Sequence, residues 1–193
     1  RSAIQTRLVA ASARPGVYEF IREQVRAGRQ VFVICPRIEV APATSGAAAA
    51  PKKPRQAKLS PLWADVKAAQ DEHARLSTKV FPELRVSLLH GRMKAAEKER
   101  VMREFKDGWA DILVSTSVVE VGVDVPNATV MLVEGADRFG LAQLHQLRGR
   151  VGRGSDPSYC LLIPTHEDKS ENERLQAMAE SNDGFFLAEK DLQ

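Results

Sequence analysis

Two arginines, Arg150 and Arg153, stand in a stretch whose glycines would be costly in an ordinary helix. Residues 143–154 read Gln-Leu-His-Gln-Leu-Arg-Gly-Arg-Val-Gly-Arg-Gly. If the stretch is a helix, it holds Gly149 and Gly152 inside it, and each costs about 1 kcal/mol relative to alanine. The three-residue spacing would direct both guanidinium groups from one face, where the backbone could approach a phosphate that arginine binds bidentately. The alternative is a solvated basic helix end that interacts with the helix dipole.

The elements that must position these arginines alternate between apolar strands and amphipathic helices. The pattern predicts strands over residues 30–35, 85–90, 111–116, 129–134 and 158–164, and helices over 15–27, 62–80, 95–106, 141–151 and, with a break, 171–193. Residues 1–14 show no periodicity and are interpreted as a lead-in. Such alternation predicts a three-layer α/β fold with a mainly parallel sheet and right-handed crossovers.

Three short polar stretches each come directly after a predicted strand. They are Arg37, the Gly91–Arg92 pair, and the Thr116–Ser117 pair. In open α/β sheets, ligands gather beyond the carboxyl ends of the strands. We therefore expect these residues to cluster in space, on a second ligand surface distinct from the two arginines.

Composition is that of an ordinary globular chain, with 44% hydrophobic and 27% charged residues. The net charge of +3 is compatible with a polyanionic partner but does not demonstrate one. Cys35 and Cys160 lie in apolar strand runs, which favours buried thiols over a disulfide. No run approaches the roughly 20 apolar residues of a membrane span, and no signal peptide opens the chain. We expect a cytoplasmic protein without a membrane partner.

Residues 41–61 differ in kind from the rest of the chain. They are rich in proline and alanine and carry a charge of +4 with no acidic residue. Such a segment cannot bury enough apolar surface to become ordered. A solvated, flexible insertion is favoured over a specific DNA contact.

The chain lacks the usual signatures of a complete nucleotide-hydrolysing site. No glycine is followed by lysine, so no Gly-x-x-x-x-Gly-Lys-Ser/Thr phosphate loop is present. An acidic Asp-Glu-His-Ala run at residues 71–74 falls in the middle of a predicted helix and is interpreted as a solvated helix face. The glycines at 149, 152 and 154 do not have the spacing of a dinucleotide fingerprint. This chain is not predicted to hydrolyse ATP alone.

Residues 146–153, Gln-x-x-Gly-Arg-x-Gly-Arg, resemble the sixth motif of superfamily 2 helicases. The preceding residues 137–146 narrow the resemblance to RecG-type ATP-dependent DNA helicases and the related Mfd translocases, and residues 35–39 and 119–127 resemble RecG more closely. The resemblance implies a second RecA-like lobe that faces ATP held by a first lobe. It also implies that Arg150 and Arg153 are arginine fingers and that Gln146 belongs to the nucleotide side.

The same resemblance implies roles for the residues of two more motifs. Residues 115–126 resemble the fifth helicase motif, in which Thr116 and Ser117 would contact the nucleic-acid backbone while Gly122 and Asp124 would serve the ribose of ATP. The alternative for Asp124 is a turn residue. Residues 89–99 resemble the RecG form of motif IVa, in which Gly91 would let the backbone approach DNA and Arg92 would supply charge. Arg37 would also contact the nucleic acid.

The resemblance also implies the organisation and partners of the protein. Residues 1–164 would form the second lobe, and residues 165–193 a helical segment that begins the translocation hairpin. ATP with Mg²⁺ would be bound mainly by an N-terminal RecA-like lobe, and a DNA-specificity domain would help to bind branched or forked double-stranded DNA. The motor would remodel replication forks in recombination and repair, at the nucleoid. Alternatives are an Mfd-like translocase lobe, a non-motor nucleic-acid-binding module, or a nucleotide-cofactor enzyme.

Overall fold

A computed structural model describes residues 3–36, 61–116, 124–166 and 169–181. Several sequence-based predictions lie outside these residues: those for Arg37, Ser117 and Gly122, the insertion up to residue 60, and the tail after residue 181.

Strands and helices alternate along most of the described chain. The strands are β1 (Ile4–Leu8), β2 (Gln30–Cys35), β3 (Val86–Leu89), β4 (Ile112–Thr116), β5 (Ala128–Glu134) and β6 (Ser158–Ile163). The helices are α1 (Arg14–Arg26), α2 (Pro61–Arg75, extended by a π-helical turn over Leu76–Val80), α3 (Ala95–Lys106), α4 (Leu141–Arg148) and α5 (Lys169–Glu180). Short 3₁₀ turns occupy Ala11–Ala13 and Ala136–Arg138.

The strands form one parallel sheet of six strands among the described residues. Their order is β1-β6-β5-β2-β4-β3, and every pairing is parallel. The central strand β2 is buried along its whole length, which explains why its sequence is a continuous apolar run. The three-layer α/β prediction is therefore confirmed.

Two apolar cores cover the two faces of this sheet. One core packs α3, α4 and α5 onto the sheet and contains Phe105, Leu144 and Met178. The other packs α1 and α2 onto the opposite face and contains Ile21 and Phe81. Because α5 contributes buried side chains to the first core, it is part of the same packed unit as the sheet.

The first strand corrects the interpretation of residues 1–14 as a lead-in. Ile4, Thr6 and Leu8 are half-buried while Gln5 and Arg7 are exposed, which is the alternation of a strand with one covered face. Strand β1 was not predicted because its sequence is short and partly polar, as suits a strand at the edge of the sheet. Its pairing with β6 comes from the far end of the chain, so local pattern alone does not establish it.

The helix predicted over residues 141–151 is shorter than expected. It ends at Arg148, with Gly149 as the capping residue. Gly152 adopts a φ of 74°, in the left-handed region that glycine tolerates and other residues avoid. A Cβ on Gly152 would also lie 2.8 Å from Ile4 Cγ1. Arg150 and Arg153 therefore lie in a loop before β6 and not on one helix face, because these glycines end the helix.

Both cysteines are buried free thiols, as predicted. Burial raises the pKa of Cys35 well above its usual range and raises the pKa of Cys160 to about 12. Both thiols therefore stay protonated at neutral pH and act as small apolar core residues. None of the helices in the described part of the chain is both long and apolar enough to cross a membrane.

Candidate functional site

The loop after α4 lies beside the segment that precedes β5. A Cβ on Gly154 would come within 3.0 Å of the carbonyl oxygen of Pro126, so the two backbones approach closely where that glycine stands. Both segments lead into the amino ends of neighbouring parallel strands, β5 and β6. The two motifs singled out for nucleotide binding are thus brought together at the amino ends of these strands.

Arg153 and Asp124 form the direct contact between these motifs. Arg153 Nε lies 3.8 Å from Asp124 Oδ1 and donates a hydrogen bond to the carbonyl oxygen of Gly149 at 2.9 Å. The Arg153 side chain is 34% exposed and that of Asp124 is 59% exposed. Both contacts use Nε, and in the part of the chain that the structure describes the terminal guanidinium nitrogens have no partner, so they remain able to donate to an anion.

Gln146 and Arg150 belong to the same connection between α4 and β6. Gln146 is exposed in the last turn of α4, and Arg150 is half-buried in the loop. The Arg150 backbone N–H donates to the carbonyl oxygen of Leu147 at 3.0 Å, which continues the turn beyond the helix end. We call Asp124, Gln146, Arg150 and Arg153 the amino-end surface.

Arg148 is a buried charged residue, beside the predicted site residues, whose contacts the sequence did not indicate. Only 3% of it is exposed, yet its guanidinium donates to the carbonyl oxygen of Met178 on α5 at 2.8 Å and to Thr6 Oγ1 on β1 at 3.3 Å. Burial lowers the pKa of Arg148, but a guanidinium remains charged at neutral pH. This side chain ties the end of α4 to the edge strand and to α5. Its place on the apolar stripe with Leu144 and Leu147 was the available signal.

A polar network holds the amino-end surface in place. Arg29, which precedes β2, donates to Asp156 in the loop before β6 at 2.8 Å and to Asn127 Oδ1 at 3.3 Å. Asn127 Nδ2 donates to Gln30 Oε1 at 3.2 Å, and Gln30 Nε2 donates to the carbonyl oxygen of Ala110 at 2.8 Å. The network crosses the amino ends of β6, β5, β2 and β4, so it fixes the spacing of the loops that carry Asp124 and Arg153.

A second group of predicted site residues lies at the carboxyl ends of β3 and β4. Leu89 pairs with Ser115, so the turn after β3 and the end of β4 at Thr116 are neighbours. Thr116 is only 5% exposed, whereas Arg92 is exposed. Arg37 and Ser117, which belong to the same expected cluster, lie outside the described residues.

The turn after β3 is shaped by His90. Its Nδ1 accepts a hydrogen bond from the Arg92 backbone N–H at 3.1 Å, and its carbonyl oxygen accepts one from the Met93 N–H at 3.3 Å. Burial lowers the pKa of His90, which keeps the ring neutral and able to accept. Gly91 and Arg92 are therefore presented on a closed turn.

The Arg92 side chain stacks on Trp63, a residue that no motif had indicated. The guanidinium carbon lies 4.0 Å from the centre of the indole ring, within cation–π range. Trp63 stands in the first turn of α2 and is 44% exposed. We call Trp63, Gly91, Arg92 and Thr116 the carboxyl-end surface.

A cavity of about 500 Å³ opens between α1 and α2, beyond the carboxyl ends of β2, β5 and β6. Its walls include two ion pairs, Arg14 with Glu134 at 2.7 Å and Arg75 with Glu72 at 2.7 Å. Hydrogen bonding to Glu134 raises the pKa of Arg14, and hydrogen bonding to Glu72 raises that of Arg75. The four charged side chains form two ion pairs, and all four line the cavity.

This cavity corrects part of the interpretation of residues 71–74 as a solvated helix face. The segment does lie inside α2, and Asp71 is exposed with an ion pair to Lys67 at 3.4 Å. Glu72, however, is half-buried against the cavity, because its helix position turns it toward α1. His73 contacts the carbonyl oxygen of Val86 at 2.9 Å. Among the described residues, no group of three or more His, Cys, Asp and Glu side chains could hold a metal ion.

Comparison with known proteins places the chain among helicases. A family model described as the helicase conserved C-terminal domain matches residues 16–155. The ATP-dependent DNA helicase RecG of Synechocystis is 50% identical over the whole chain, that of Thermotoga maritima 45% and that of Bacillus subtilis 43%. The chain covers 21%, 22% and 25% of these proteins, so it spans about a quarter of their length or less.

Solved structures agree with the sequence matches. The structure of RecG bound to a three-way DNA junction is 42% identical, with a TM-score of 0.76, and is matched over 100% of this chain and 22% of that one. Dbp5 of Saccharomyces cerevisiae, bound to RNA and ADP BeF3, is 18% identical with a TM-score of 0.58 over 94% of this chain and 39% of that one, which shows a shared fold alone.

Proposed function

The chain belongs to the helicase conserved C-terminal domain family, and we propose that it is the second motor lobe of a RecG-type ATP-dependent DNA helicase. The RecG assignment is supported by identities of 43% to 50% that extend over the entire chain. In this proposal the activity belongs to the two-lobed protein, and residues 1–164 supply one wall of its ATP site. Residues 165–193 begin the translocation segment, whose first helix α5 is packed into the core of the lobe.

One observation carries the proposal: the contact between Arg153 and Asp124 on the amino-end surface. A carboxylate that can accept from a ribose hydroxyl stands beside a guanidinium whose terminal nitrogens have no partner within the described part of the chain. This pair fits the outer side of a nucleotide whose phosphates and Mg²⁺ are held by another lobe, because the chain itself has no phosphate loop.

The residues of the amino-end surface have distinct roles in this mechanism. Asp124 orients the sugar, and Arg150 and Arg153 stabilise the negative charge that develops on the transferred phosphoryl group. Gln146 lies in the helix turn that leads into the arginine loop. Arg148 links that loop to α5, so a shift of the loop on hydrolysis is passed to the edge of the lobe.

The carboxyl-end surface carries the DNA in this proposal. Gly91 and Arg92 on the closed turn and Thr116 at the end of β4 contact the backbone of branched or forked double-stranded DNA. Arg37 and Ser117, which lie outside the described residues, belong to the same proposed DNA contact through the motif resemblance. Such contacts position a strand without reading its sequence. Closure and opening of two lobes around ATP would then move the DNA, with a DNA-specificity domain as a further partner and the bacterial nucleoid as the place of action.

The experiment that tests this proposal compares the chain alone with a protein that also carries the first lobe. We expect no ATP turnover above background from the chain alone, and turnover stimulated by forked DNA from the two-lobed protein. The measurement is the rate of phosphate release with and without a synthetic fork. Turnover by the chain alone, unaffected by Arg150→Ala, would contradict the proposal.

A further inference from the structure

Trp63 and Trp109 are the two large apolar side chains that stand exposed in the described part of the chain. They are also the two tryptophans of the sequence. Trp109 is 70% exposed, near the amino end of β4, and Trp63 is 44% exposed at the opposite end of the sheet. The guanidinium carbon of Arg92 lies 4.0 Å from the centre of the Trp63 ring. Of the two tryptophans, only Trp63 therefore contacts a cation of the carboxyl-end surface.

Trp63 is only partly buried, in contrast to its neighbours on α2. Its neighbours on α2, Ala64 and Val66, are buried, whereas Trp63 is partly exposed and its ring contacts Arg92 in the turn after β3. An exposed tryptophan leaves apolar surface in water, which folding alone does not favour. Since 44% of Trp63 is exposed, packing accounts for only part of its position.

Arg92 is held at two points by its surroundings. Its backbone N–H donates a hydrogen bond to His90 Nδ1 at 3.1 Å, and its guanidinium carbon lies over the indole ring of Trp63 at 4.0 Å. Among the described residues, no carboxylate forms an ion pair with it. Stacking occupies the face of a guanidinium and leaves the N–H donors at its edge available.

We propose that Trp63 is a positioning residue for DNA binding, which holds the Arg92 guanidinium flat so that its N–H edge meets a backbone phosphate at the carboxyl ends of β3 and β4. The proposal rests on the proposed function, because it assumes that this surface carries DNA. A guanidinium fixed in its binding orientation loses less conformational entropy on contact with phosphate than a free one. The ligand is a phosphodiester backbone, and binding by Arg92 does not depend on the base sequence.

Binding of a synthetic fork across a range of salt concentrations tests the role of Trp63, with Trp109 as the matched control. We expect Trp63→Ala and Trp63→Leu to weaken binding about two- to fivefold, the range of a cation–π contact at an exposed site. Trp63→Phe should recover most of the affinity because it keeps an aromatic face. Trp109→Ala should leave binding unchanged.

A double-substitution cycle separates positioning from direct contact. If Trp63 acts through Arg92, then Trp63→Ala should add nothing in an Arg92→Ala background. The slope of log affinity against log salt should fall by up to about 0.9 for either single substitution, as expected for one lost phosphate contact. If Trp63→Ala weakens binding equally with and without Arg92, the positioning role is overturned and the indole itself contacts DNA.

Fluorescence supplies a second readout that does not depend on affinity. In the 193-residue chain with Trp109→Phe, Trp63 is the sole tryptophan, and its emission should change both on addition of the fork and on Arg92→Ala. In a Trp63→Phe protein, the emission of Trp109 should not respond. Unchanged Trp63 emission on saturation with DNA would overturn the inference.

The outcomes distinguish this inference from the proposed function. If the unsubstituted protein binds the fork and Trp63→Ala and Trp63→Leu bind it equally well, only the positioning role is wrong. If the unsubstituted protein does not bind the fork at all, the assignment of this surface to DNA is wrong, and the inference is lost with it. Thermal melting followed by circular dichroism checks folding, and Trp63→Leu, which also removes the aromatic face, keeps the test open if Trp63→Ala does not fold.

Discussion

The amino-end surface and the carboxyl-end surface occupy opposite ends of one parallel sheet and are built in different ways. At the amino ends, side chains from distant segments bind one another: Arg29 holds Asp156, and Arg153 lies against Asp124. At the carboxyl ends, the strand ends themselves set the positions, and one stacked pair, Trp63 with Arg92, stands above them.

This difference matches the two tasks proposed for the surfaces. Stabilising charge in a transition state requires groups placed to a fraction of an ångström, and a cross-linked network supplies that placement. Holding a phosphate backbone requires charge and access, and small shifts are tolerated because each phosphate contact contributes separately. Substitutions at the amino ends should therefore change catalysis steeply, and substitutions at the carboxyl ends should change binding by degrees.

The largest expected effect comes from the two arginines of the loop after α4. In a two-lobed protein, Arg150→Ala and Arg153→Ala should each lower ATP turnover by about 100-fold or more, a smaller loss than the roughly 10³–10⁵ of a GTPase arginine finger. Affinity for forked DNA should stay nearly unchanged. ATP turnover and fork binding are measured on both variants and on Arg26→Ala, a control at the exposed end of α1.

Two further observations sharpen this prediction. Arg150→Lys should restore little activity, because an ammonium lacks the planar fork of a guanidinium. If Arg150→Ala instead abolished fork binding and left ATP turnover intact, the amino-end surface would be a DNA-binding one, and the comparison between the two surfaces would be reversed.

A glycine tests how strictly the amino-end surface is built. Gly152→Ala should lower the free energy of unfolding by about 1–3 kcal/mol, because alanine is strained at a φ of 74° and its Cβ would meet Ile4 at 2.8 Å. ATP turnover should fall with it, since Arg153 follows directly. Chemical unfolding is measured together with the control Gly16→Ala. Gly16 lies in α1 with no atom within 4 Å of the added Cβ, so its replacement should stabilise by up to about 1 kcal/mol.

A more moderate effect is expected at the carboxyl-end surface. Arg92→Ala should weaken fork binding several-fold and reduce the slope of log affinity against log salt by about 0.9, the contribution of one phosphate. ATP binding should be spared because Arg92 lies at the other end of the sheet. Titrations of both ligands at three or more salt concentrations check this, and a loss of ATP binding equal to the loss of DNA binding would show that the two surfaces are not separate.

The smallest effect is expected for the folding contribution of the Arg153–Asp124 pair. Asp124→Asn should change the free energy of unfolding by less than about 1 kcal/mol, because ion pairs between exposed side chains contribute little. ATP affinity of the two-lobed protein should fall nonetheless, since an amide accepts from a sugar hydroxyl less strongly than a carboxylate. A large loss of stability would mean that Asp124 is a structural turn residue.

The fold could be predicted where a strand is buried on both faces or a helix has a clear apolar stripe. Strand β2 and helix α3 have the predicted bounds, because the positions of their apolar side chains follow directly from burial against the neighbouring elements. Strand β1 was missed because it is a polar edge strand whose partner is far away in sequence. The helix before Arg150 was predicted too long, because the backbone of Gly149 and Gly152 was assumed to stay helical.

The residues of the candidate site also differ in whether the sequence could indicate them. Residue types and motif spacing indicated Asp124, Arg150 and Arg153, since those depend on chemistry that is local in sequence. Arg148 and Trp63 could not be found in that way. The role of each depends on a contact with a residue from another element: Arg148 with the carbonyl oxygen of Met178, and Trp63 with Arg92.

The pairing of β1 with β6 has a consequence for how the chain is made. During synthesis the first strand leaves the ribosome long before its partner, because Ile4 pairs with Ser158. Until then β1 has no partner strand, the edge of β5 that will pair with β6 stays uncovered, and α5, which packs against β1, cannot dock. Closing so long a loop is entropically costly and slow, and an uncovered strand edge invites association with other chains. Strand β1 is thus synthesised well before β6 but pairs with it late, and the lobe is most exposed to aggregation until that pairing forms.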